Sequence, residues 1–207
     1  SSNHTIEYVL EGQGRGALLS EGHGGAVLSL SLRAGNEGEA VMASVGTDGV
    51  LKLWSMGEGS SRVVETVTLP HAPTAAAFSP DGSALAVAIR GTDTGGNYAG
   101  VLIMDFALPQ FLAKRDGTDS ASDAEVLTTR MKLHNVGQGV APSLKYTGNL
   151  LGVVSTENRV FLYNAADGYK ELGSTAEHTG TISGFDLSAG EQQFLRTFSG
   201  EDMAGVS

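Results

Sequence analysis

Residues 23–54 read HGGAVLSLSLRAGNEGEAVMASVGTDGVLKLW, and this stretch decides the fold. It opens on Gly22-His23 and closes on Leu53-Trp54. Three apolar runs lie inside it: VLSLSL, AVMASV and VLKLW. Each is about strand length, rich in Val and Leu, and bounded by Gly, Asn, Asp or Thr. Asp48 stands in a Thr-Asp-Gly turn, six residues before Trp54. A fourth run follows at residues 62–69, RVVETVTL. The pattern predicts a small antiparallel unit of four strands. Such a unit cannot bury both of its faces alone, so further copies are expected.

The copies are present in weaker form. His71 opens HAPTAAAFSPDGSALAVAI, which is followed by a loop and VLIMDF. His134 leads into VAPSLKYTGNLLGVVSTENRVFLYN, and His178 into HTGTISGFDLSAGEQQFLRTFSGEDMAGV. The apolar starts Val27, Ala75, Val140 and Ile182 are 48, 65 and 42 residues apart. Blades of WD-repeat propellers recur every ~40–45 residues, with a Gly-His start and a Trp-Asp end. The longer steps then require insertions. Four of the five histidines mark these junctions, and His4 is the exception.

The fold class read from this pattern is all-β, a WD-repeat β-propeller with about three complete blades and two partial ones. Residues 1–22 are the end of a preceding blade, with NHTIEYVL and ALLS as its last strands. Residues 23–69 form one blade, and 70–133 a second with insertions at 91–100 and 107–125. Residues 134–177 form a third, and 178–207 begin a further one. The middle of the second insertion, RDGTDSASD, is small, polar and acidic, and reads as an exposed loop. It lacks the ligand spacing and closing Glu of a calcium loop. Closed propellers have four to eight blades. The chain is therefore expected to be part of a larger, tandem propeller protein. It also begins at Ser1 rather than Met, so an upstream segment is expected.

Composition agrees with many short strands joined by tight turns. The 207 residues include 29 Gly and only 5 Pro, are 41% hydrophobic and 17% charged, and show no long helical periodicity. The net charge is −10, and the 13 Lys and Arg are scattered. Without a basic stripe, neither nucleic acid nor anionic membrane is an expected partner. The absence of cysteine removes disulfides and thiolate metal sites, and fits a reducing, cytoplasmic compartment. The longest apolar run, ALAVAI at 84–89, is far too short to span a bilayer. No signal-peptide pattern opens the sequence.

His23 and Asp48 together suggest catalysis, but a blade gives them structural work. The Asp of the turn between second and third strands accepts hydrogen bonds, and the His of Gly-His reaches toward it. Ser44 and Trp54 extend the network. A buried polar network of this kind specifies geometry when every member is satisfied. The later blades have lost the set. Met104-Asp105 stands at the Trp position of the second, with Thr92 or Asp93 near its turn. Tyr163-Asn164 stands there in the third, with Glu157 or Asn158. Ser79–Gly82 (SPDG) and Tyr146–Asn149 (YTGN) read as turns between first and second strands. The Gly-rich stretches EGQGRG and GTDTGG lack the GK[ST] ending of a phosphate loop, and no HExxH or GxSxG occurs. No catalytic, cofactor-binding or metal residues are expected, and the chain is read as no enzyme.

Several details resemble one family of WD-repeat proteins, the echinoderm microtubule-associated protein-like (EMAP-like) family. They are NHTIEYVLEGQGRGALLSEGHGGAVLSLSL, then GTDGVLKLW, AAAFSPDGSALAVAI and VLIMDF. The fullest match is SLKYTGNLLGVVSTENRVFLYNAADGYKELGSTAEHTGTISGFDLSAGEQQFLRTFSG. The resemblance implies tandem propellers and a scaffold of microtubule-based assemblies such as the ciliary axoneme. Tubulin or axonemal proteins would be its partners, and cytoskeleton or cilium its place. The family's basic, coiled-coil amino-terminal region and the hydrophobic motif before its first propeller are not in this sequence. The alternative is an adaptor subunit of another multiprotein complex.

Overall fold

The structure is a computed structural model. It describes residues 7–8, 17–18, 22–35, 40–57, 60–93, 96–117, 125–134, 143–155, 158–175, 179–180, 182–187 and 195–199. Its strands group into sheets that follow one another along the chain. The first complete sheet is β3 (Val27–Arg33), β4 (Ala40–Gly46), β5 (Val50–Gly57) and β6 (Ser60–Thr68), hydrogen-bonded in that order. The second is β7 (Ala72–Phe78), β8 (Ala84–Asp93), β9 (Gly96–Phe106) and β10 (Leu127–His134). The third is β11 (Leu144–Thr147), β12 (Leu150–Val154), β13 (Val160–Asn164) and β14 (Lys170–Ser174). A two-stranded sheet stands at each end: β1 (Glu7–Tyr8) with β2 (Ala17–Leu18), and β15 (Ile182–Leu187) with β16 (Leu195–Ser199). Every pairing is antiparallel.

The first strands of successive sheets pack together: β3 along β7, β7 along β11, β11 along β15. This is the arrangement of propeller blades, with the first strand innermost. The backbone repeats more faithfully than the sequence. A β-bulge interrupts the first strand pair at Val27/Ser29, again at Pro73/Ala75, and again at Ile182/Gly184. The bulges align Leu30 with Ala76 and Phe185, and Leu32 with Phe78 and Leu187.

The core lies in the seams between blades. Val41, Ala43, Val45, Leu51 and Leu53 of the first blade meet Ala76, Phe78, Leu85, Val87, Ile89, Leu102 and Met104 of the second. The other face of the second blade, with Ala75, Ala86, Ala88, Val101 and Ile103, meets Leu151, Val153 and Tyr163. Central strands therefore bury both faces, and β4 is buried at six successive positions from Val41 to Gly46. Small residues let the innermost strand of the second blade fit between its neighbours. Ala75, Ala76 and Ala77 are all buried.

Two regions differ from the sequence reading. The segment 91–100, expected as an insertion between strands, mainly prolongs them: β8 runs to Asp93 and β9 starts at Gly96. Residues 107–125, expected as an insertion with an exposed loop at 115–123, begin with a helix, α1 (Leu108–Asp116). Pro109 lies in its first turn, and Gly117 ends it with a left-handed φ of 70°. Phe111 anchors it at 1% exposure, tilted against the Phe106 ring at 5.7 Å. Lys114 Nζ donates to Glu65 on β6 at 2.6 Å. Three apolar contacts in nine residues carry too little periodicity to show in the sequence. Residues 118–124, the junction residues Val140 and His178, Glu157, and the tail 200–207 lie outside the described residues.

Candidate functional site

Four elements bring the expected network together. His23 precedes β3, Ser44 lies in the middle of β4, Asp48 sits in the β4–β5 turn, and Trp54 is on β5. The turn is closed by Gly49 N–H donating to the Gly46 carbonyl at 3.1 Å. Gly49 has φ 81°, a conformation that glycine adopts without strain. His23 Nδ1 lies 2.9 and 3.0 Å from the two Asp48 oxygens. His23 Nε2 lies 2.8 Å from Ser44 Oγ, and Trp54 Nε1 donates to that same oxygen at 2.8 Å. Asp48 also accepts from the Gly24 and Val50 N–H groups at 2.8 and 3.4 Å.

One set of proton positions satisfies every group. Trp54 N–H donates to Ser44, the Ser44 hydroxyl donates to His23 Nε2, and His23 Nδ1–H donates to Asp48. Burial pushes the Asp48 carboxyl up, but the bonds from His23 and from the Gly24 and Val50 N–H groups together outweigh it. Its pKa lies below the ordinary carboxylate value. The order Ser–His–Asp matches that of hydrolase triads, but its setting does not. Ser44 and Trp54 have no exposed surface and His23 has 1%. A nucleophile needs access to a carbonyl, and this hydroxyl is enclosed by the indole that donates to it. Gly46 is part of the enclosure: a methyl group there would lie 2.6 Å from His23 Nδ1 and 2.8 Å from Asp48 Oδ1.

The next two blades keep the register and replace the chemistry. In the ladder, Met42 faces Trp54 and Ser44 faces Lys52. The same ladder positions in the second blade pair Leu85 with Met104 and Val87 with Leu102. Val87 thus stands for Ser44, and Met104 for Trp54. In the third blade the pairs are Leu151 with Tyr163 and Val153 with Phe161. The His71 ring also lies against a glycine of its second strand, 2.4 Å from where a methyl group on Gly91 would lie. Burial, together with the nearby Glu171 carboxylate, pushes the Tyr163 hydroxyl up to about 12.

The sequence did not reveal the polar contacts across the seams. Ser29 Oγ accepts from Ala76 N–H at 3.2 Å, and Ser31 Oγ accepts from Phe78 N–H at 2.9 Å. Thr147 Oγ1 donates to the Leu187 carbonyl at 3.2 Å. Arg33 Nε donates to the Gly82 carbonyl at 3.1 Å, with its guanidinium 5.7 Å from the Phe106 ring centre. Gly82 lies in the expected Ser79–Gly82 turn. Asp81 there accepts from Ser79 Oγ, Ser83 N and Ser83 Oγ. A groove of about 480 Å³ runs past these inner strands, lined in part by Leu30, Leu32, Arg33, Phe78 and Tyr146. Among the described residues no group of three or more His, Asp or Glu side chains could hold a metal ion. No helix among them is long and apolar enough to cross a membrane.

Similarity to known proteins lies in the fold. No protein-family model and no curated protein matches the sequence. The crystal structure of Saccharomyces cerevisiae Sqt1, a WD-repeat protein, is similar at a TM-score of 0.59 and 16% identity. The match covers 84% of this chain and 44% of the Sqt1 chain, so this chain spans less than half of that protein. The computationally designed protein Ika4 is similar at a TM-score of 0.51 and 13% identity, over 86% of this chain and 94% of Ika4. The fold is all-β and of the propeller type, with four-stranded antiparallel blades.

Proposed function

We propose that this chain is a non-enzymatic scaffold that binds protein partners through its propeller surfaces. The supporting observation is the burial of Ser44 and His23, with Asp48 above them at the surface. His23, Ser44 and Asp48 spend their hydrogen bonds on one another, on Trp54 and on local backbone. What remains for function is surface: strand faces, turns and the rim carrying α1. Propellers present such surfaces to other proteins.

Within that role, the EMAP-like motifs favour a microtubule-based assembly such as the ciliary axoneme, with tubulin or axonemal proteins as partners. This finer reading rests on the residues of the resemblance. The second reading is an adaptor in another complex, favoured by the net charge of −10, which repels the acidic tails of tubulin. Co-sedimentation of the full-length protein with microtubules, alongside proximity labelling in cells, separates the two. Pelleting with microtubules or labelling of axonemal proteins is expected. No pelleting, with labelling confined to another complex, contradicts the microtubule reading and leaves the adaptor one. Turnover of a small substrate that is lost in Ser44→Ala would contradict both.

A further inference from the structure

The seam between the first and second blades and the seam between the second and third end differently on the face that carries the turns between first and second strands. Backbone bonds give the counterparts there. Phe106 N–H donates to the Ser83 carbonyl at 2.9 Å, and Ala165 N–H to the Asn149 carbonyl at 2.7 Å. Ala165 therefore stands for Phe106, Asn149 for Ser83, and Gly148 for Gly82. Both glycines have left-handed φ, 52° for Gly148 and 68° for Gly82. Arg33 follows Leu32 as Ser79 follows Phe78, so Ser79 is its counterpart.

In the first seam this end is filled from within the chain. Arg33 reaches across from the first blade, donates to the Gly82 carbonyl and lies over the Phe106 ring. Its side chain occupies the space where a methyl group on Gly82 would lie. Phe78 and Phe111 pack on the Phe106 ring, with centroids at 5.4 and 5.7 Å. The second seam lacks the groups that do this. The Ser79 hydroxyl bonds within its own turn, to Asp81 and Ala84. Ala165 has no ring, and a single helical turn, Ala165–Asp167, stands in place of α1. Among the described residues, nothing lies within 4 Å of where a methyl group on Gly148 would be. A groove of about 410 Å³ remains between the turns of the two blades.

The walls of this groove suit a planar cation. Tyr146 and Tyr169 supply aromatic surface, their hydroxyls bonded to each other at 2.8 Å. Arg130 also lines the groove and is paired with Asp105. Asp81 is exposed on the wall, and among the lining residues it is the charge without an opposite partner. Hydrogen bonds from the Ser79 hydroxyl and from the Ser83 N–H and hydroxyl hold its pKa below the ordinary carboxylate value, so it is ionised at neutral pH.

We propose that the groove takes an arginine side chain from an extended segment of a partner protein, placed as Arg33 is placed in the first seam. The guanidinium donates to the Gly148 carbonyl, lies against the tyrosine rings and pairs with Asp81. This rests on the scaffold reading and names one of its contact surfaces. Lysine fits less well, because only the planar guanidinium donates to a carbonyl and a carboxylate while stacking on a ring. The net charge of −10 favours a basic partner segment.

Saturation-transfer NMR of the full-length protein with the peptide acetyl-Ser-Ala-Arg-Ala-Ser-amide tests this. Transfer to the arginine side chain is expected. It should be several-fold weaker for the peptide with lysine in its place and absent for the one with glutamate. Ala165→Phe, which restores the ring of the first seam, should abolish transfer without lowering the melting temperature. Ser79→Arg, which supplies the cation from the opposite wall, should abolish it too. No transfer to the arginine peptide, equal transfer to the lysine or glutamate peptide, or transfer that persists in both folded variants overturns the proposal. Proximity labelling that still finds protein partners would then remove the groove alone and leave the scaffold reading in place. Labelling of no partner in the wild type would contradict the scaffold reading, and the proposal with it.

Discussion

The first blade and the second solve the same packing problem with different chemistry. At the same ladder positions, one holds Ser44 and Trp54 in a hydrogen-bonded chain with His23 and Asp48, and the other holds Val87 and Met104 in apolar contact. The register is unchanged. Blade geometry is therefore set by the antiparallel ladder and the seam. The polar network is one way to fix the turn and the innermost strand. The neighbours also differ. Val87 and Met104 are covered by the first blade, whereas Leu30 and Leu32 beside Ser44 are half exposed. A directional network can hold a face that has fewer packing partners, since each of its bonds specifies a position.

Substitutions that break this comparison differ in size. The largest effect is expected for Trp54→Ala, which removes a fully buried indole and opens a cavity against Met42. A loss of ~3–5 kcal/mol is expected in chemical denaturation. The equivalent Met104→Ala should cost about 2–5 kcal/mol without disturbing any hydrogen bond. Asp48→Ala leaves His23 Nδ1 and the Gly24 N–H without their acceptor, at a cost of about 1–3 kcal/mol. A double-mutant cycle of Asp48→Ala with Ser44→Ala should show coupling, because both act through His23. Additive losses would break the chain of bonds described above.

Two smaller effects sharpen the contrast. The Asp48 pKa is lowered by folding, so its contribution is complete above the unfolded value of 3.8 and is lost as pH falls through the lowered folded value. Asp48→Asn should therefore melt below the wild type at neutral pH and approach it in acid. A constant gap in melting temperature down to the most acid pH would show that the charge contributes nothing. The smallest effect is expected at the rim. Lys114→Ala removes the ion pair to Glu65, whose two side chains are each about one-fifth exposed, at a cost of about 0.2–1 kcal/mol.

The strand pattern and the His23–Trp54 network were legible in the sequence because each rests on local spacing. Val27 to Arg33 alternates with period two. β3 alternates in burial with the same period but in the inverse sense, with Leu28, Leu30 and Leu32 exposed and Ser29 and Ser31 half-buried against the next blade. Asp48-Gly49 marked its turn through glycine's tolerance of positive φ. The equivalences of Met104 and Tyr163 to Trp54 were also visible, since each ends its third strand. Three features were not legible. Helix α1 shows only Leu108, Phe111 and Leu112 as an apolar face, and its stability comes from docking Phe111 into the core. The extension of β8 and β9 through Gly91 and Gly96 runs against the turn propensity of GTDTGGNYAG, because cross-strand pairing outweighs it. The seam contacts of Ser29, Ser31 and Arg33 join residues more than forty positions apart, which no local pattern encodes.

The central claim is that the His23–Ser44–Asp48–Trp54 set is a structural device, with His23, Ser44 and Trp54 enclosed beneath a surface Asp48. Trp54 is the only tryptophan, so its indole N–H gives a single resonance. Hydrogen exchange of that proton tests the claim most directly. Strong protection is expected in the native protein, with a marked loss of protection in Ser44→Ala and in Asp48→Ala. Exchange at the rate of a free indole in the native protein would mean that the site is open to solvent, and would contradict the account.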